Sequence, residues 1–351
     1  MLSLSKHERG ATSFDRLRMS GSWENERKTR PMPVIDVPDP EFMADEEIAV
    51  FRDAVGKFFA QHAPEKRVEK WREDGMVERA FWEEAGAAGL LGMTVPQEYG
   101  GHGGDFRHDL VVLDQQAQKG VDGFAASLHN VIILPYIVRH GTEEQKQRWL
   151  PDLCAGRALG GFGLTEPDAG SDAGGTRTTA TLDEATREWV LEGEKAFITN
   201  SGTEITSVVT VTARTGPRGT SAAGSSGISA IVVPAGTPGF EVQPPYRKMG
   251  WHASDTHGLT FSGCRVPEDH LLGEPGRGFA QFLDILDEGR IAISALACGV
   301  IRCCLEEATA YARERNAFGR AIGANQAVAF ACADLAVLYE SSRLLTYQAA
   351  S

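Results

Sequence analysis

The first part of the chain repeats its apolar residues at helical spacing. One face of a predicted helix that begins at Asp45 carries five of them: Ile48, Phe51, Val55, Phe58 and Phe59. Similar patterns predict further helices over 81–90, 110–118 and 124–140. Thr142 and Gln145 predict another helix start, because residues of these types at this spacing form a capping box. We therefore predict an N-terminal all-α domain over 36–160.

Between Thr176 and Phe261 the apolar period shortens to two, which is typical of strands. Glycine, proline and serine residues separate β-branched runs at 189–191, 208–211 and 228–233, a pattern that predicts antiparallel strands. The polar segment 214–227 is predicted to be a hairpin tip or a disordered loop. These features predict a middle antiparallel β domain over 161–275, folded as a small barrel.

From Gly276 the helical spacing returns. Long amphipathic patterns predict helices over 279–286, 291–313 and 326–349, with a turn at 319–323. Helices of this length bury their apolar stripes only against further helices, so we predict a C-terminal helical bundle over 276–351. No capping residue, glycine or proline marks a helix end at Ser351, and we expect the bundle to be incomplete and the chain to be truncated there. The predicted fold is a multidomain α+β protein.

Residues 1–35 do not share these patterns. Serine, arginine, lysine and proline dominate, and no apolar period is sustained, so we expect a disordered or spurious extension. Its acidic residues argue against a mitochondrial transit peptide. The sequences at 3–9 and 14–18 resemble translated bacterial intergenic repeats, and we expect the true start at Met32 or Met43.

The composition excludes several classes of protein. A net charge of −13 argues against a nucleic-acid-binding protein, because phosphate contacts need a basic face. No apolar run approaches the ~20 residues that span a bilayer. None of the six cysteines forms a C-x-x-C pair, so zinc and thioredoxin-like sites are not expected. A cytoplasmic bacterial protein without a metal site fits best.

A glycine-rich stretch at 161–175 separates the helical region from the β-rich region. Its glycines allow close approach of the backbone to a ligand, and Thr165 and Ser171 add hydroxyl groups. The stretch is neither the dinucleotide-binding G-x-G-x-x-G motif nor a Walker sequence. Taken alone, it fits a ligand-binding loop and an ordinary linker equally well.

Five further blocks follow in a fixed order. They are Glu194-Lys-Ala-Phe-Ile-Thr199-Asn-Ser-Gly202, Lys248-Met-Gly-Trp251, Ser254-Asp-Thr256, Leu286-Asp-Glu-Gly-Arg290 and Glu314-Arg-Asn-Ala-Phe-Gly-Arg320. Together with 161–175, they resemble the acyl-CoA dehydrogenase family, FAD enzymes that desaturate acyl-CoA thioesters. The resemblance runs from about Glu46 to the last residue, and it is closest to the short- and branched-chain members.

The resemblance implies FAD as the cofactor and assigns residues to it. The flavin-binding residues of the same subunit would be Phe162, Leu164, Thr165, Gly170, Ser171, Phe197, Ile198 and Thr199. Phe197 stands where tryptophan is often found, which keeps an apolar wall but loses an indole donor. Arg315, Phe318 and Gln326 would contribute to the FAD of a neighbouring subunit, which implies a homodimer or a homotetramer.

The resemblance also implies substrate contacts at Ser171, Asp287 and Arg290. The alternative for Asp287 and Arg290 is an ordinary ion pair on the surface of a helix. Some family members carry their catalytic base where this chain has Gly289. Glu288 is one position away, which turns its side chain by ~100° on a helix. The glycine matches members whose base lies further along the chain, beyond the position of Ser351, so Glu288 is the alternative base.

The predicted activity follows from the resemblance. A glutamate would remove the α-proton of a short or branched acyl-CoA, the β-hydride would pass to flavin N5, and the electrons would pass to an electron-transfer flavoprotein. Two alternatives remain open: a non-catalytic flavin- or partner-binding member of the fold, and a flavin oxidase or monooxygenase on the same fold.

Overall fold

The computed structural model of the chain describes residues 37–216 and 227–351. The predicted extension at 1–35 lies outside the described residues, as does most of the predicted polar loop at 214–227.

Helices form the first part of the described chain, as predicted. They are α1 (Glu46–His62), α2 (Glu65–Asp74), α3 (Arg79–Ala87), α4 (Phe106–Gln118), α5 (defined below) and α6 (Glu143–Cys154). The capping box at the start of α6 is confirmed, because the Gln145 N–H donates to Thr142 Oγ1 over 3.3 Å. The sequence patterns missed α2, whose buried residues are only Val68 and Trp71 and therefore give a sparse apolar signal.

Helix α5 changes its winding midway. It comprises an α-helical turn at Ala126–Leu128, a π-helical segment at His129–Ile133 and an α-helical segment at Leu134–His140. The 124–140 pattern predicted one regular helix, so the π-helical segment is a correction. Segments of this kind often accompany functional sites. Ile132 in this segment lies close to Gly289 in the C-terminal helical region.

The middle of the chain folds into a mixed sheet. Its strands are β1 (Leu159–Gly163), β2 (Thr179–Asp183), β3 (Glu188–Thr199), β4 (Thr206–Arg214), β5 (Ile228–Pro234), β6 (Phe240–Pro245), β7 (Thr256–Pro267) and β8 (Leu271–Leu272). The order is β6-β7-β3-β2-β4-β5-β8, and β1 also pairs with β4.

Two details of the sheet differ from the predicted antiparallel barrel. Strand β1 runs parallel to β4, with Gly161 opposite Val209. Among the described strands, the sheet also stays open, since β6 and β8 lie at its two ends. Pro244 and Pro245 lie in β6 and lack backbone N–H groups, which suits an edge strand and opposes further pairing.

Two long helices follow the sheet. Helix α7 (Gly278–Glu314) is continuous over 37 residues, so the prediction of separate helices over 279–286 and 291–313 is wrong. The helix continues through Gly289. A single glycine costs only about 1 kcal/mol in a helix, and the packing of this buried residue can offset that cost. A short hairpin of β9 (Asn316–Ala317) and β10 (Arg320–Ala321) leads to α8 (Gln326–Ala350).

Helix α7 packs along α4 on one side and α8 on the other, and its first half also contacts α5. The sheet meets the helices at β1, where Phe162 packs on Tyr136 of α5, and at the start of α7, where Gly278 lies against Ser229 and Ala230 of β5. Within 37–216 and 227–351, no helix combines the length and apolarity needed to cross a bilayer.

Candidate active site

The glycine-rich loop that follows β1 lies against the end of β3. The Ala196 N–H donates to the Thr165 carbonyl over 2.8 Å. A Cβ placed at Gly161 would lie 3.3 Å from the Thr199 carbonyl oxygen, so the glycine permits this close approach. The structure thus places Phe162 to Thr165 beside Phe197 to Thr199, the two segments that the sequence pattern assigned to one ligand.

A buried ion pair fixes this junction. The Lys195 ammonium donates to Glu166 Oε1 over 2.8 Å and to the Leu164 carbonyl over 3.2 Å. Glu166 also accepts the N–H groups of Arg177 and Thr178, over 2.7 and 3.0 Å. Both side chains of the pair are almost fully buried, at 0% and 4% exposure. The pair holds both ends of the loop segment 164–178 against β3.

Burial and charge act in opposite directions on this pair. Burial lowers the pKa of Lys195 to about 8, although Glu166 favours the charged ammonium. Burial also opposes ionisation of Glu166, but Lys195 and the N–H donors outweigh it and lower the pKa of the carboxyl. Both residues lie within the sequence motifs described above, but the motifs do not identify them as a pair. The available signal was a lysine two positions before Phe197 within a strand that is otherwise apolar on its buried face.

Several hydrogen-bond donors around the junction have no protein partner. In the described part of the chain, neither the Thr165 N–H nor its hydroxyl is hydrogen-bonded, and the same holds for the Thr199 and Ser171 hydroxyls. Gly170 and Ser171 are exposed, and nothing lies within 4 Å of a Cβ placed at Gly170. These groups can therefore donate to a ligand at little cost.

Phe197 presents an aromatic ring next to these donors. Its backbone is left-handed, with φ of 60°, and its side chain is 63% exposed. The ring packs against Tyr246, with 4.8 Å between centroids. Neighbouring Ile198 is buried in the sheet core, so it supports the strand and does not offer its side chain to a ligand. An exposed ring and a strained backbone conformation at one position are typical of a ligand contact.

A second network supports the turn after β3. Asp255 accepts the Gly202 N–H over 2.9 Å and contacts His257 Nε2 at 2.5 Å. The hydrogen bond to Asp255 raises the pKa of His257 above its ordinary value. Asn200, in this turn, has φ of 58° and a buried amide nitrogen with no hydrogen-bond partner in the described chain. The unsatisfied amide is a further donor that a ligand at this turn could use.

Helices α5 and α7 meet beside the loop. Tyr136 on α5 packs against Phe162, with 5.8 Å between ring centroids. A Cβ placed at Gly289 on α7 would lie 3.4 Å from Ile132 Cδ1. A side chain at position 289 would therefore point at α5. Glu288 also faces α5, but it pairs there with Arg139 and lines a cavity of about 260 Å³.

The predicted substrate contacts on α7 lie on its surface. Asp287 and Arg290 pair with each other, and their side chains are 76% and 63% exposed. This is the ion pair of the alternative interpretation, and both groups also remain accessible to a ligand. Arg315, Phe318 and Gln326 lie on and next to the β9–β10 hairpin and are exposed, as residues that reach a neighbouring subunit would be.

The remaining features of the described chain argue for no other centre. A larger cavity of about 420 Å³ lies near the start of α7, but none of the predicted flavin-binding residues lines it. Within 37–216 and 227–351, no group of His, Cys, Asp and Glu residues is arranged to hold a metal ion.

Family sequence models of three successive domains match the chain. The acyl-CoA dehydrogenase N-terminal domain matches residues 45–157, the middle domain residues 161–264, and the C-terminal domain residues 276–351.

Curated proteins show similarity over most of the chain. The Bacillus subtilis protein named "Probable acyl-CoA dehydrogenase YngJ" is 39% identical over 310 residues, which cover 88% of this chain and 80% of that protein. The mitochondrial long-chain specific acyl-CoA dehydrogenase of Rattus norvegicus is 38% identical over 286 residues, which cover 82% of this chain and 65% of that protein. The chain thus spans between 65% and 80% of the length of these relatives.

Solved structures show the same similarity in three dimensions. The acyl-CoA dehydrogenase of Geobacillus kaustophilus superposes with a TM-score of 0.82 and 34% identity, over 87% of this chain and 78% of that chain. The butyryl-CoA dehydrogenase of Megasphaera elsdenii superposes with a TM-score of 0.80 and 32% identity, over 90% of this chain and 80% of that chain.

Proposed function

Because the chain belongs to the acyl-CoA dehydrogenase family, a family of flavin-dependent oxidoreductases, we propose that it desaturates a short or branched acyl-CoA thioester. One observation carries the proposal. The loop after β1 and the end of β3 lie side by side, and together they offer an exposed aromatic ring and hydrogen-bond donors without protein partners. A flavin, which has a flat apolar face and polar edges, suits that combination.

FAD, when bound, supplies the acceptor for the hydride that leaves the β-carbon. The N–H and hydroxyl of Thr165 and the hydroxyl of Thr199 are then available as donors to its polar edge. Phe197 offers its ring as an apolar wall. The buried Lys195–Glu166 ion pair holds the loop in place behind these donors. Leu164, Gly170 and Ser171 would complete the contacts of this subunit.

The proposed reaction also needs a residue that accepts the α-proton of the substrate. Glu288 is our candidate base within it, because it is a carboxylate next to Gly289 on the side of α7 that faces α5. Its carboxylate is occupied by an ion pair with Arg139. It could accept a proton only if a substrate displaced Arg139. A side chain at position 289, where some family members carry the base, would point at Ile132 instead.

The substrate class rests on the 286–290 block and on the butyryl-CoA dehydrogenase similarity. Ser171, Asp287 and Arg290 would contact the polar part of the thioester substrate. Arg290 suits phosphate groups, because its planar guanidinium donates in a fork geometry. Arg315, Phe318 and Gln326 would reach the flavin of a second subunit, so we propose a homodimer or a homotetramer.

The experiment that tests the function measures the electron acceptor and the product together. The chain is loaded with FAD and incubated with butyryl-CoA, once with an electron-transfer flavoprotein and once with oxygen alone. We expect enoyl-CoA to form in proportion to reduced electron-transfer flavoprotein, and little product with oxygen. Enoyl-CoA that forms together with hydrogen peroxide would identify an oxidase. A chain that binds FAD but forms no product under either condition would contradict the proposed reaction.

A further inference from the structure

A buried acidic residue of α4 also lines the cavity beside Glu288. Its lining comes from the segment before α4, from α4, from α5 and from α7. One lining residue, Asp109 on α4, is a carboxyl group that is only 1% exposed. We propose that this cavity receives the far end of the acyl chain, and that Asp109 selects chains that end in a hydrogen-bond donor, either a hydroxyl or an ammonium group. The inference rests on the proposed function.

The cavity adjoins the contact between α5 and α7. Val131 and Glu288 both line it, and they are the direct neighbours of Ile132 and Gly289, whose contact closes the gap between the two helices. Helix α5 also carries Tyr136, which packs on Phe162. The cavity therefore lies beside the contact between α5 and α7. Under the proposal, the acyl chain would reach the cavity by passing between α5 and α7 beside this contact.

Only one of the two carboxyl oxygen atoms of Asp109 accepts a hydrogen bond from the described part of the chain. Asn130 donates its amide to Asp109 Oδ1 over 3.0 Å, and the same amide nitrogen donates to the Leu90 carbonyl over 2.8 Å. In the described part of the chain, Asp109 Oδ2 has no hydrogen-bond partner. Asp109 lines the cavity, so this oxygen is available to a donor placed there. A donor from a ligand in the cavity would satisfy it.

The surroundings of Asp109 favour a donor over an acceptor. Glu288 is paired with Arg139, and Asp105 is paired with Arg107, so Asp109 is the acid of the cavity without a basic partner. Burial raises the pKa of Asp109 to about 7, and the charges of Glu288 and Asp105 add to the effect. An ammonium group would pair with the ionised form, and a hydroxyl group could bond to either form.

The rest of the lining suits methylene groups. Four of the other nine lining residues are apolar, and they are Phe106, Val131, Pro135 and Val138. A buried polar group such as Asp109 can fix the orientation of a ligand whose carbon atoms contact these apolar residues. The volume of about 260 Å³ leaves room for several carbon atoms. The combination fits an acyl tail with a polar terminus.

The test uses direct binding and does not need turnover. The FAD-loaded chain is titrated by calorimetry with unsubstituted, ω-hydroxy and ω-amino acyl-CoA thioesters of matched length. We expect the wild-type chain to bind a hydroxy or amino thioester about tenfold more tightly than its unsubstituted counterpart. Asp109→Leu should abolish that preference. Asp114→Asn, which changes another buried acid of α4 outside the cavity, should retain it.

The two polar ligands and a conservative variant identify the donor. Asp109→Asn lets Asn130 keep its hydrogen bond and turns an NH₂ group towards the cavity, so it should abolish a preference for the amino thioester and retain one for the hydroxy thioester. A second measurement, by NMR, does not depend on whether Asp109→Leu folds. The ¹³C resonance of the Asp109 carboxyl, assigned by its loss in Asp109→Asn, should shift with the preferred polar thioester and not with the unsubstituted one.

Two results would overturn the inference alone. Equal or tighter binding of the unsubstituted thioesters by the wild-type chain would do so, as would a polar preference that survives in Asp109→Leu. If no acyl-CoA of any kind binds, the proposed function fails and the inference fails with it.

Discussion

At the scale of single residues, the Lys195 ammonium joins the two segments that carry the candidate flavin contacts. It bonds to the Leu164 carbonyl from its place on β3 and is neutralised by Glu166, which in turn holds the Arg177 and Thr178 N–H groups. Removing either partner of such a pair leaves an uncompensated buried charge or an unsatisfied set of donors. The position of the loop after β1 therefore depends on this pair.

We expect Glu166→Gln to lower the free energy of unfolding by about 3–5 kcal/mol, the usual cost of breaking a buried ion pair from one side. The control is Asp168→Asn, which removes an exposed partner of Arg177 and should change stability by less than about 0.5 kcal/mol. Denaturant unfolding measures both, and FAD affinity should fall only in the first variant. Equal stability of the two variants would show that the pair is not structural.

The second prediction at this scale concerns the pH dependence of stability at Asp109. Its pKa is about 7 in the folded chain, above the value of about 3.9 for an unfolded aspartate, so ionisation favours the unfolded chain. This penalty is absent below pH ~4, grows as pH rises to about 7, and is constant above that. We expect Asp109→Asn to be more stable than the wild-type chain by about 2–4 kcal/mol at pH 8 and by almost nothing at pH ~4.

Comparing the two proteins by denaturant unfolding across that pH range cancels the titration of all other groups. A stability difference that does not change with pH would contradict the raised pKa of Asp109.

The sequence led to only part of the site at this scale. Thr165, Phe197 and Thr199 could be assigned because they lie in motifs with a fixed spacing. The Glu166–Lys195 pair and Asp109 could not, because charged residues are ordinarily solvated and their burial depends on contacts between distant parts of the chain.

At the scale of elements, helix α7 organises the helical side of the site. It is continuous through Gly289 and Gly299, and each glycine lies at a contact with another helix. A Cβ at Gly299 would lie 2.4 Å from the Asp114 carbonyl oxygen and 2.8 Å from Ala117 Cβ, both on α4. A Cβ at Gly289 would meet its nearest atom, Ile132 Cδ1, at an ordinary 3.4 Å. The two glycines therefore have different reasons to be small.

These contacts predict opposite effects of the same substitution. Gly299→Ala should destabilise the chain by about 1–3 kcal/mol, because the helices must move apart. Gly289→Ala should be neutral or stabilising by up to about 1 kcal/mol, because alanine favours the helix and the space exists. Thermal or denaturant unfolding of the two variants measures the contrast. Equal destabilisation by both substitutions would contradict the α4–α7 packing described above.

Most elements could be predicted from the periodicity of apolar residues, and the exceptions have physical causes. The break predicted near Gly289 was wrong because a local helix-breaking tendency is outweighed by burial between α5 and α7. The parallel pairing of β1 with β4 was missed because strand direction depends on tertiary topology, which the alternation of residues does not encode.

At the scale of the whole molecule, the outer surface of the last two helices is unusually apolar. Exposed side chains lie along it: Val300, Tyr311, Phe330, Val337, Leu338, Leu344 and Leu345. Contiguous apolar surface of this kind promotes association or low solubility. The long amphipathic patterns of 291–313 and 326–349 predict apolar stripes, and these exposed side chains lie on the two helices that carry them.

We therefore expect the 351-residue chain to associate or aggregate in a concentration-dependent way. Leu338→Glu combined with Leu345→Glu, which lie two turns apart on α8, should reduce the association. Val242→Glu, which changes an exposed apolar residue on β6, should not. Sedimentation velocity over a concentration series measures all three. A monodisperse, thermostable wild-type monomer would contradict the prediction.

The measurement that tests the central claim most directly is an anaerobic spectral titration of the FAD-loaded chain with butyryl- and isobutyryl-CoA. The account predicts stoichiometric FAD and a saturable change in flavin absorption when acyl-CoA is added. Bleaching of the flavin band would place a working base within this chain, and Glu288→Gln should then abolish the bleaching but keep FAD bound. A chain that cannot hold FAD, or a flavin spectrum that no acyl-CoA changes, would contradict the assignment of the loop after β1 and the end of β3 as a flavin site for acyl-CoA oxidation.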